Sequence, residues 1–443
     1  MRTGIKTLAR KTTGKLTRSP LLLYQKQPAK FPQQGAGNLR IRARIQAVVK
    51  EIQEYNLDKS IGGFHSKPHE MTVEVIERLV NLNPNNLGNW SLVEQKNVNG
   101  TRLIERELIQ MMVDLYGGKW SQWEGYLTSG ASESNLYSGW MGRKYLERFT
   151  KRQNICLIKT SLTHYSIGKT SDIIGIPEFI TALHPKAWNM DVTAAEQLIT
   201  RLHKKGFRGF LVPLTLGYTQ TGTSDDLQTI IKRLKKLGRK LEVKFFFWAD
   251  AALNGLVLPF NSPRFRPLSL PSLQSFLVDF HKFGLTPIPS GVVLYRRPLR
   301  KLIEKRIPYL DEKDNTVAGS RSGISSVTCW VIIQTFGRKG LREIVSSSMN
   351  KKKTFENSLK SITPKIEVIT DEHAVHLGLI MRKKYSLPDK LAKEYGLRVD
   401  KIKIRFTGNK DRTVNLCRMI FMPHITPATV RGITKDFLRS FST

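Results

Sequence analysis

The sequence predicts an α/β protein: a mostly parallel sheet covered by helices, followed by a small C-terminal α/β domain. Three observations predict it. Runs at Ile155–Ile158, Gly209–Leu214, Val243–Trp248 and Leu273–Val278 are mostly apolar, as strands buried on both faces are. Helical spacing separates them: Val192–Leu202 ends at Gly206, and Leu227, Ile230, Ile231, Leu234 and Leu237 form a stripe ended by Gly238. Such alternation indicates parallel strands with helices on both sides. Past Lys351–Lys353 the pattern changes to short strands at Lys365–Ile369, Ile402–Phe406 and Leu416–Phe421. A closing helix is expected at Pro427–Phe441, with Thr426 suited to its N-cap and Pro427 to its first position.

A chain of 443 residues can hold one large domain and a smaller one. The divisions expected are a basic N-terminal arm and helix (1–69), a large domain (70–350) and a small C-terminal domain (351–443). No run of 18 apolar residues occurs, so no membrane span is expected. Cys156, Cys329 and Cys417 form no CxxC. That argues against a disulfide framework or zinc site and fits a reducing, cytoplasmic compartment.

The formal charge is +36. Residues 1–50 hold 12 Lys and Arg and no acid, and removing them leaves 60 basic and 36 acidic residues. A positive field attracts nucleic acid, anionic membranes and anionic small molecules alike. Its diffuseness reads as a solvated surface, and nucleic acid is not the partner expected.

Residues 1–45 are basic, rich in Ser and Thr, and broken by Pro20, Pro28, Pro32, Gly35 and Gly37. A flexible arm and an organelle transit peptide both fit that composition. Met1–Arg18 lacks an amphipathic period, which favours the arm. Ile41, Ile45, Val48, Val49 and Ile52 fall at helical spacing, so a helix is expected over 40–55. Further helices are expected around Val73–Val80 and over Arg102–Tyr116, stopped by Gly117-Gly118.

Gly125–Tyr137 then places a turn of small residues before a helix, with Ser132 as a plausible N-cap. Free amides and the positive helix end make this an anion site suited to phosphate. Ligands of open parallel sheets bind beyond the carboxyl ends of the strands. The polar residues there are Thr163–Ser166, Thr219–Asp226, Asp250 and Lys282. Asp250 ends the strand Phe245-Phe246-Phe247-Trp248-Ala249, where an acid is costly unless it meets a cation. An arginine would serve. So would a protonated pyridine nitrogen, which that pairing makes a better electron sink. Ala252 is small enough for a ring to lie over the backbone. His164 suits a core position or the face of a flat cofactor. Lys282, in Asp279-Phe280-His281-Lys282, follows a buried strand, where a desolvated amine forms Schiff bases. A phosphate cup (Gly130, Ala131, Ser132), a stacking group (His164), an acid (Asp250) and a lysine (Lys282), in that order, match pyridoxal 5'-phosphate.

With these residues the chain resembles the pyridoxal-phosphate-dependent group II amino-acid decarboxylases, including the archaeal-type tyrosine/aspartate and the histidine decarboxylases. The resemblance rests on Thr128–Asn135, Thr163–Ser166, Asp250-Ala251-Ala252, Asp279–Lys282, Thr316–Gly323 and Met422-Pro423-His424-Ile425. It implies fold type I and decarboxylation of an L-amino acid to the amine and CO2, the substrate being tyrosine, aspartate, histidine or similar. It implies cofactor contacts from Gly130, Ala131, Ser132, His164, Thr219, Asp250, Ala252, His281 and Lys282. It further implies a homodimer with a shared active site. Lys282 and His164 would act in catalysis, with Tyr309, on a mobile loop, as candidate proton donor. One departure stands out: Leu216-Gly217-Tyr218-Thr219 puts Tyr218 where relatives carry the first Thr of Gly-Thr-Thr. Asp225 is expected to keep its place in the turn that follows. Two alternatives compete: a carbon–carbon lyase resembling the sphingosine-phosphate lyases, and a basic nucleic-acid-binding protein on a degenerate enzyme fold.

Overall fold

Seven strands form the central sheet: β1 (Trp123–Thr128), β2 (Ile155–Thr160), β3 (Glu178–Thr181), β4 (Gly209–Thr215), β5 (Lys244–Asp250), β6 (Leu273–Asp279) and β7 (Gly291–Arg296). Their order is β1-β7-β6-β5-β4-β2-β3. Strands β6, β5, β4, β2 and β3 run parallel. Strand β7 lies antiparallel to both β6 and β1. The sheet is therefore mostly parallel, as expected, with an antiparallel edge that local sequence did not reveal.

This computed structural model describes residues 32–54, 57–91, 100–309, 312–362, 365–382, 385–408 and 410–441. The basic segment 1–31, which carries the arm or transit-peptide question, lies outside them. Residues 1–57 and 58–443 are separate units. The first contributes helix α1 (Asn38–Glu54), close to the 40–55 expected.

In the second unit the helices that frame the sheet are α2 (Glu70–Leu79), α3 (Gly100–Leu115), α4 (Ala131–Leu146), α5 (Tyr165–Ile174), α6 (Val192–Lys204), α7 (Leu227–Leu241), the short α8 (Phe280–Phe283), α9 (Gly323–Ser358) and α10 (Pro427–Phe441). Strand β5 shows why the sheet is covered twice. Phe246 and Trp248 pack in one cluster with Tyr137 and Met141 of α4. Phe245, Phe247 and Ala249 pack in another with Ile230, Ile231 and Leu234 of α7. Each buried aromatic contributes about 1.5–3 kcal/mol, which commits both faces to helices.

The hairpin β8 (Lys305–Ile307) and β9 (Glu312–Asp314) stands outside this sheet. A second, antiparallel sheet has the order β10-β11-β13-β12, from β10 (Ile366–Thr370), β11 (His376–Met381), β12 (Val399–Phe406) and β13 (Lys410–Ile420). Helix α9 runs continuously through position 350, with a kink at Gly337 (φ 55°, ψ −167°). The basic run that suggested a boundary is helical, and Lys351 and Lys352 are buried in it. Lys351 Nζ donates to the carbonyls of Met422 (3.2 Å), Pro423 (3.3 Å) and Ile425 (2.8 Å). Charge here marks an internal tie between α9 and the segment before α10, where sequence suggested a domain boundary.

Candidate active site

The carboxyl ends of β4, β5 and β6 and the end of β1 point the same way, because two antiparallel pairings return β1 to the direction of β6. Register places Thr128 and Asp279 both opposite Gly291. The turn after β1 therefore meets the segment after β6. Gly130, at φ 147°, is the N-cap of α4, which begins at Ala131. This corrects the expectation that Ser132 caps the helix. Glu133 instead accepts from the amide and hydroxyl of Ser129, both at 2.8 Å. The first amides of α4 have no helical partner. A Cβ at Gly130 would lie 3.0 Å from His281 Cε1, so only glycine lets the turn approach that imidazole.

Asp250, 6% exposed, ends β5. Asn135 Nδ2 of α4 donates to its Oδ2 at 2.8 Å, and the Ala252 amide to its Oδ1 at 3.1 Å. Trp248 Nε1 donates to Asn135 Oδ1 at 2.9 Å and so fixes which way that amide faces. The arginine that might have paired with Asp250 is absent: among the described residues, no ion pair involves it. Asn135 also reaches Ser166 Oγ at 3.3 Å, and that hydroxyl lies 2.8 Å from His164 Nδ1. His164 is the N-cap of α5. Burial pushes its imidazole below the ordinary value, opposed by the charge of Asp250 and aided by that of Lys282. A neutral ring is what a stacking residue beside a cation requires.

Lys282 sits on α8, one turn past the end of β6, with Nζ 3.2 Å from Asp279 Oδ2. Sequence suggested a desolvated amine; the structure gives a lysine held by a carboxylate that is 2% exposed. The other oxygen of that carboxylate, Oδ1, is buried without a hydrogen bond. His281 Nδ1 lies 2.8 Å from the Ser290 carbonyl, which turns its ring toward Gly130. The Asp279 amide donates to the Ala252 carbonyl at 3.2 Å. Gly130, Ala131, His164, Asp250, Ala252, His281 and Lys282 are thus gathered at one end of the sheet, with Ser132 in the first turn of α4.

Two expected residues stand differently. Thr219 is half-buried in the turn after β4, and its side chain makes no hydrogen bond to the cluster. Tyr309 is 82% exposed in the β8–β9 hairpin and makes no hydrogen bond or ring contact with the cluster. Arg321, from the Gly-Ser-Arg segment, pairs with Glu105 at 2.6 Å and donates to the Leu127 carbonyl at 2.9 Å. It is a buried brace for β1.

Sequence reasoning assigned no role to Phe64, Asn135, His376 or Arg418. The Phe64 ring lies 5.9 Å from Lys282 Nζ and 4.6 Å from Arg418 Cζ. Only Asn135 carried a usable signal, one helical turn past Ala131 and facing the strand that ends in Asp250. Phe64 and Arg418 come from distant stretches, and only folding brings the ring to Lys282 and Arg418 to the same ring.

The pyridoxal-dependent decarboxylase conserved domain matches residues 94–382. A probable L-aspartate decarboxylase of Pyrococcus abyssi is 26% identical over 418 residues, covering 92% of this chain and 98% of that protein. A probable L-tyrosine/L-aspartate decarboxylase of Methanocorpusculum labreanum is 30% identical over 300 residues, covering 67% of this chain and 75% of that protein. Among solved structures, the L-methionine decarboxylase of Streptomyces sp. 590 superposes with a TM-score of 0.80 at 17% identity, covering 93% of this chain and 96% of that one. The site fits pyridoxal phosphate on its own geometry: Asp250, a buried carboxylate with no ion-pair partner among the described residues, Lys282 held by a second buried carboxylate, Asp279, and a glycine turn at a helix N-terminus that a Cβ would obstruct.

Proposed function

The chain belongs to the pyridoxal-dependent decarboxylase family and is a pyridoxal-phosphate-dependent amino-acid decarboxylase, and on that premise we propose that its substrate is an L-amino acid of the tyrosine or aspartate class. The cofactor, when bound, supplies an electron sink for the pair left behind as CO2 departs. The carrying observation is Asp250: a buried carboxylate with two protein donors and, among the described residues, no ion-pair partner, at the end of the sheet that also carries Lys282 and His164.

In this reading Asp250 would pair with the cofactor's ring nitrogen, and Asn135 keeps that carboxylate in place. His164 would offer an uncharged ring for stacking. Gly130, Ala131 and Ser132 would present backbone amides to a phosphate, with His281 beside them. Lys282 would be the attachment point, its amine now held by Asp279. Arg418, whose guanidinium shares the Phe64 ring with Lys282, receives the substrate carboxylate. Tyr309 or Lys282 would return a proton to the reacting carbon, and Tyr309, exposed in its hairpin, is open to a neighbouring subunit. The substrate class is supported by the names of the aspartate and tyrosine/aspartate relatives.

A homodimer is part of the reading. Tyr165, Ile173 and Val317 are exposed apolar side chains; Ile173 and Val317 line a pocket with Ser129 and Ser132 at the phosphate turn, which suits cover by a second copy. Among the described residues no helix is long and apolar enough to cross a membrane. Three unpaired, buried cysteines fit a cytoplasmic setting.

The test is CO2 release by purified protein with added pyridoxal phosphate across the common L-amino acids, beside Lys282→Ala. Release from tyrosine or aspartate, lost in the variant, is expected. Borohydride reduction should fix cofactor to the wild type at Lys282 and not to the variant. A Lys282→Ala protein releasing CO2 at the wild-type rate would overturn the assignment.

A further inference from the structure

Tyr218 stands at the position where the chain departs from Gly-Thr-Thr, and its surroundings are unusual. It is fully buried, in an apolar cluster that joins Leu162, Leu183 and Trp188 of the large-sheet side to Ile380, Ile404 and Phe406 of the second sheet. Its hydroxyl donates to the Asp225 carboxylate (3.0 and 3.1 Å to the two oxygens) and accepts from Thr160 Oγ1 at 3.1 Å. Thr160 Oγ1 lies 3.1 Å from Thr163 Oγ1, and the Thr160 amide donates to that same hydroxyl at 3.0 Å. Thr163 immediately precedes His164. Asp225 is the fixed end: its oxygens also accept the amides of Met190 at 2.8 Å and Thr215 at 2.7 Å. The hydroxyls can therefore point one way, from Thr163 through Thr160 and Tyr218 to a carboxylate. Such a chain polarises each of its bonds.

The backbone of Tyr218 faces the second sheet. Its carbonyl accepts from His376 Nε2 of β11 at 3.0 Å. The approach is close: a Cβ at Gly222 would lie 2.5 Å from the His376 carbonyl, and one at Gly378 2.5 Å from the Gln220 carbonyl. Gly378 is the register partner of Arg418 on β13. Strand alternation puts His376, Gly378 and Arg418 on one face of that sheet. The turn after β4 also reaches the site directly, since the Leu216 amide donates to the Asp250 carbonyl at 2.8 Å.

We propose that Tyr218 and His376 are positioning residues for decarboxylation. Through its hydroxyl, Tyr218 fixes Thr160 and Thr163 and hence the seat of His164. Through its carbonyl and His376, it fixes the second sheet and hence the distance of Arg418 from Lys282. Both side chains are wholly buried, and the other nitrogen of His376, Nδ1, has no partner. One buried pair thus sets the ring-stacking group and the carboxylate-binding cation in a single frame. The inference rests on the decarboxylase reading.

The experiment compares wild-type holoenzyme with Tyr218→Phe, Thr160→Val, His376→Gln and His376→Leu. It uses the substrate that wild type decarboxylates, and reads kcat, KM, the visible absorption of bound cofactor and the thermal midpoint. Tyr218→Phe and Thr160→Val each remove one hydroxyl and keep shape. Both should lower kcat about tenfold or more, the scale of a small misplacement, with KM within about threefold. His376→Gln, whose amide reaches where Nε2 stood, should keep KM within about threefold, and His376→Leu should raise it further, as displacement of Arg418 would. Shifted cofactor absorption in Tyr218→Phe would mark a displaced ring environment, which loss of stability alone does not produce. If wild type releases CO2 and Tyr218→Phe and Thr160→Val keep kcat within about twofold, the inference fails while the decarboxylase reading stands. If His376→Leu does not fold, the two hydroxyl variants still decide it. No release by wild type would instead refute the reading beneath it.

Discussion

Asn135 Nδ2 lies 2.8 Å from Asp250 Oδ2, and this amide does for Asp250 what an arginine would do in an ordinary buried ion pair, without cancelling its charge. Burying an uncompensated carboxylate costs several kcal/mol, so the arrangement makes sense when a cation from outside the chain completes it. Asp250→Asn preserves shape and removes the charge. CO2 release should fall about a hundredfold or more, while the thermal midpoint of the cofactor-free protein stays or rises. Steady-state kinetics with calorimetry of the cofactor-free form checks both.

Arg418 is held by Phe64 stacking, by a hydrogen bond from Nε to the Gly62 carbonyl at 3.3 Å and by a long ion pair from Nη1 to Asp400 at 3.8 Å. Arg418→Met keeps the stem against the ring and removes the carboxylate partner. KM should rise about tenfold or more, since a charge-assisted bond is worth roughly 1.5–3 kcal/mol. A substrate titration in which KM is unchanged would place the carboxylate elsewhere.

Acid stability should respond in opposite directions at two buried groups. Burial lowers the His376 imidazole from 6.5 to about 4. Between those values the unfolded chain takes up a proton that the fold refuses, so this group costs stability as pH falls from 6.5 toward 4. Burial raises the Asp225 carboxyl from 3.8 to about 6. There the fold takes up the proton first, so this group adds stability as pH falls from about 6 toward 3.8. The two offset each other in the wild type. His376→Gln should lose less stability than wild type between pH 6.5 and 4, and Asp225→Asn should lose more. Denaturant midpoints across that range measure it.

Lys351 donates to the carbonyls of Met422, Pro423 and Ile425, the first of which also accepts the Ile425 amide at 3.1 Å. Lys351→Met fills the same space and removes that donor from the Pro423 and Ile425 carbonyls, at a cost of about 3 kcal/mol. Urea unfolding should show the loss. Cofactor absorption in the folded protein should be unchanged, because Lys351 bonds to none of the residues proposed to hold the cofactor.

The layered α/β plan was legible in the chain, and the residues proposed to hold the cofactor were named from it. Short aromatic runs such as Phe245–Trp248, set between helical stripes, read as strands buried on both faces, and a polar residue just past such a run, as at Asp250, falls at a strand end. Those signals are local, so they survive in one dimension. Tertiary structure decided the rest. Register against Gly291 brings Thr128 to Asp279, and antiparallel return of β1 and β7 sets the turn of Gly130 against His281. Phe64 reaches Lys282, and Arg418 the same ring, from distant parts of the chain, His376 meets Tyr218 across two sheets, and Lys351 turns inward where its neighbours suggested a boundary. Such contacts leave no periodicity behind, because each depends on which element ends meet, and packing fixes that only after the elements exist.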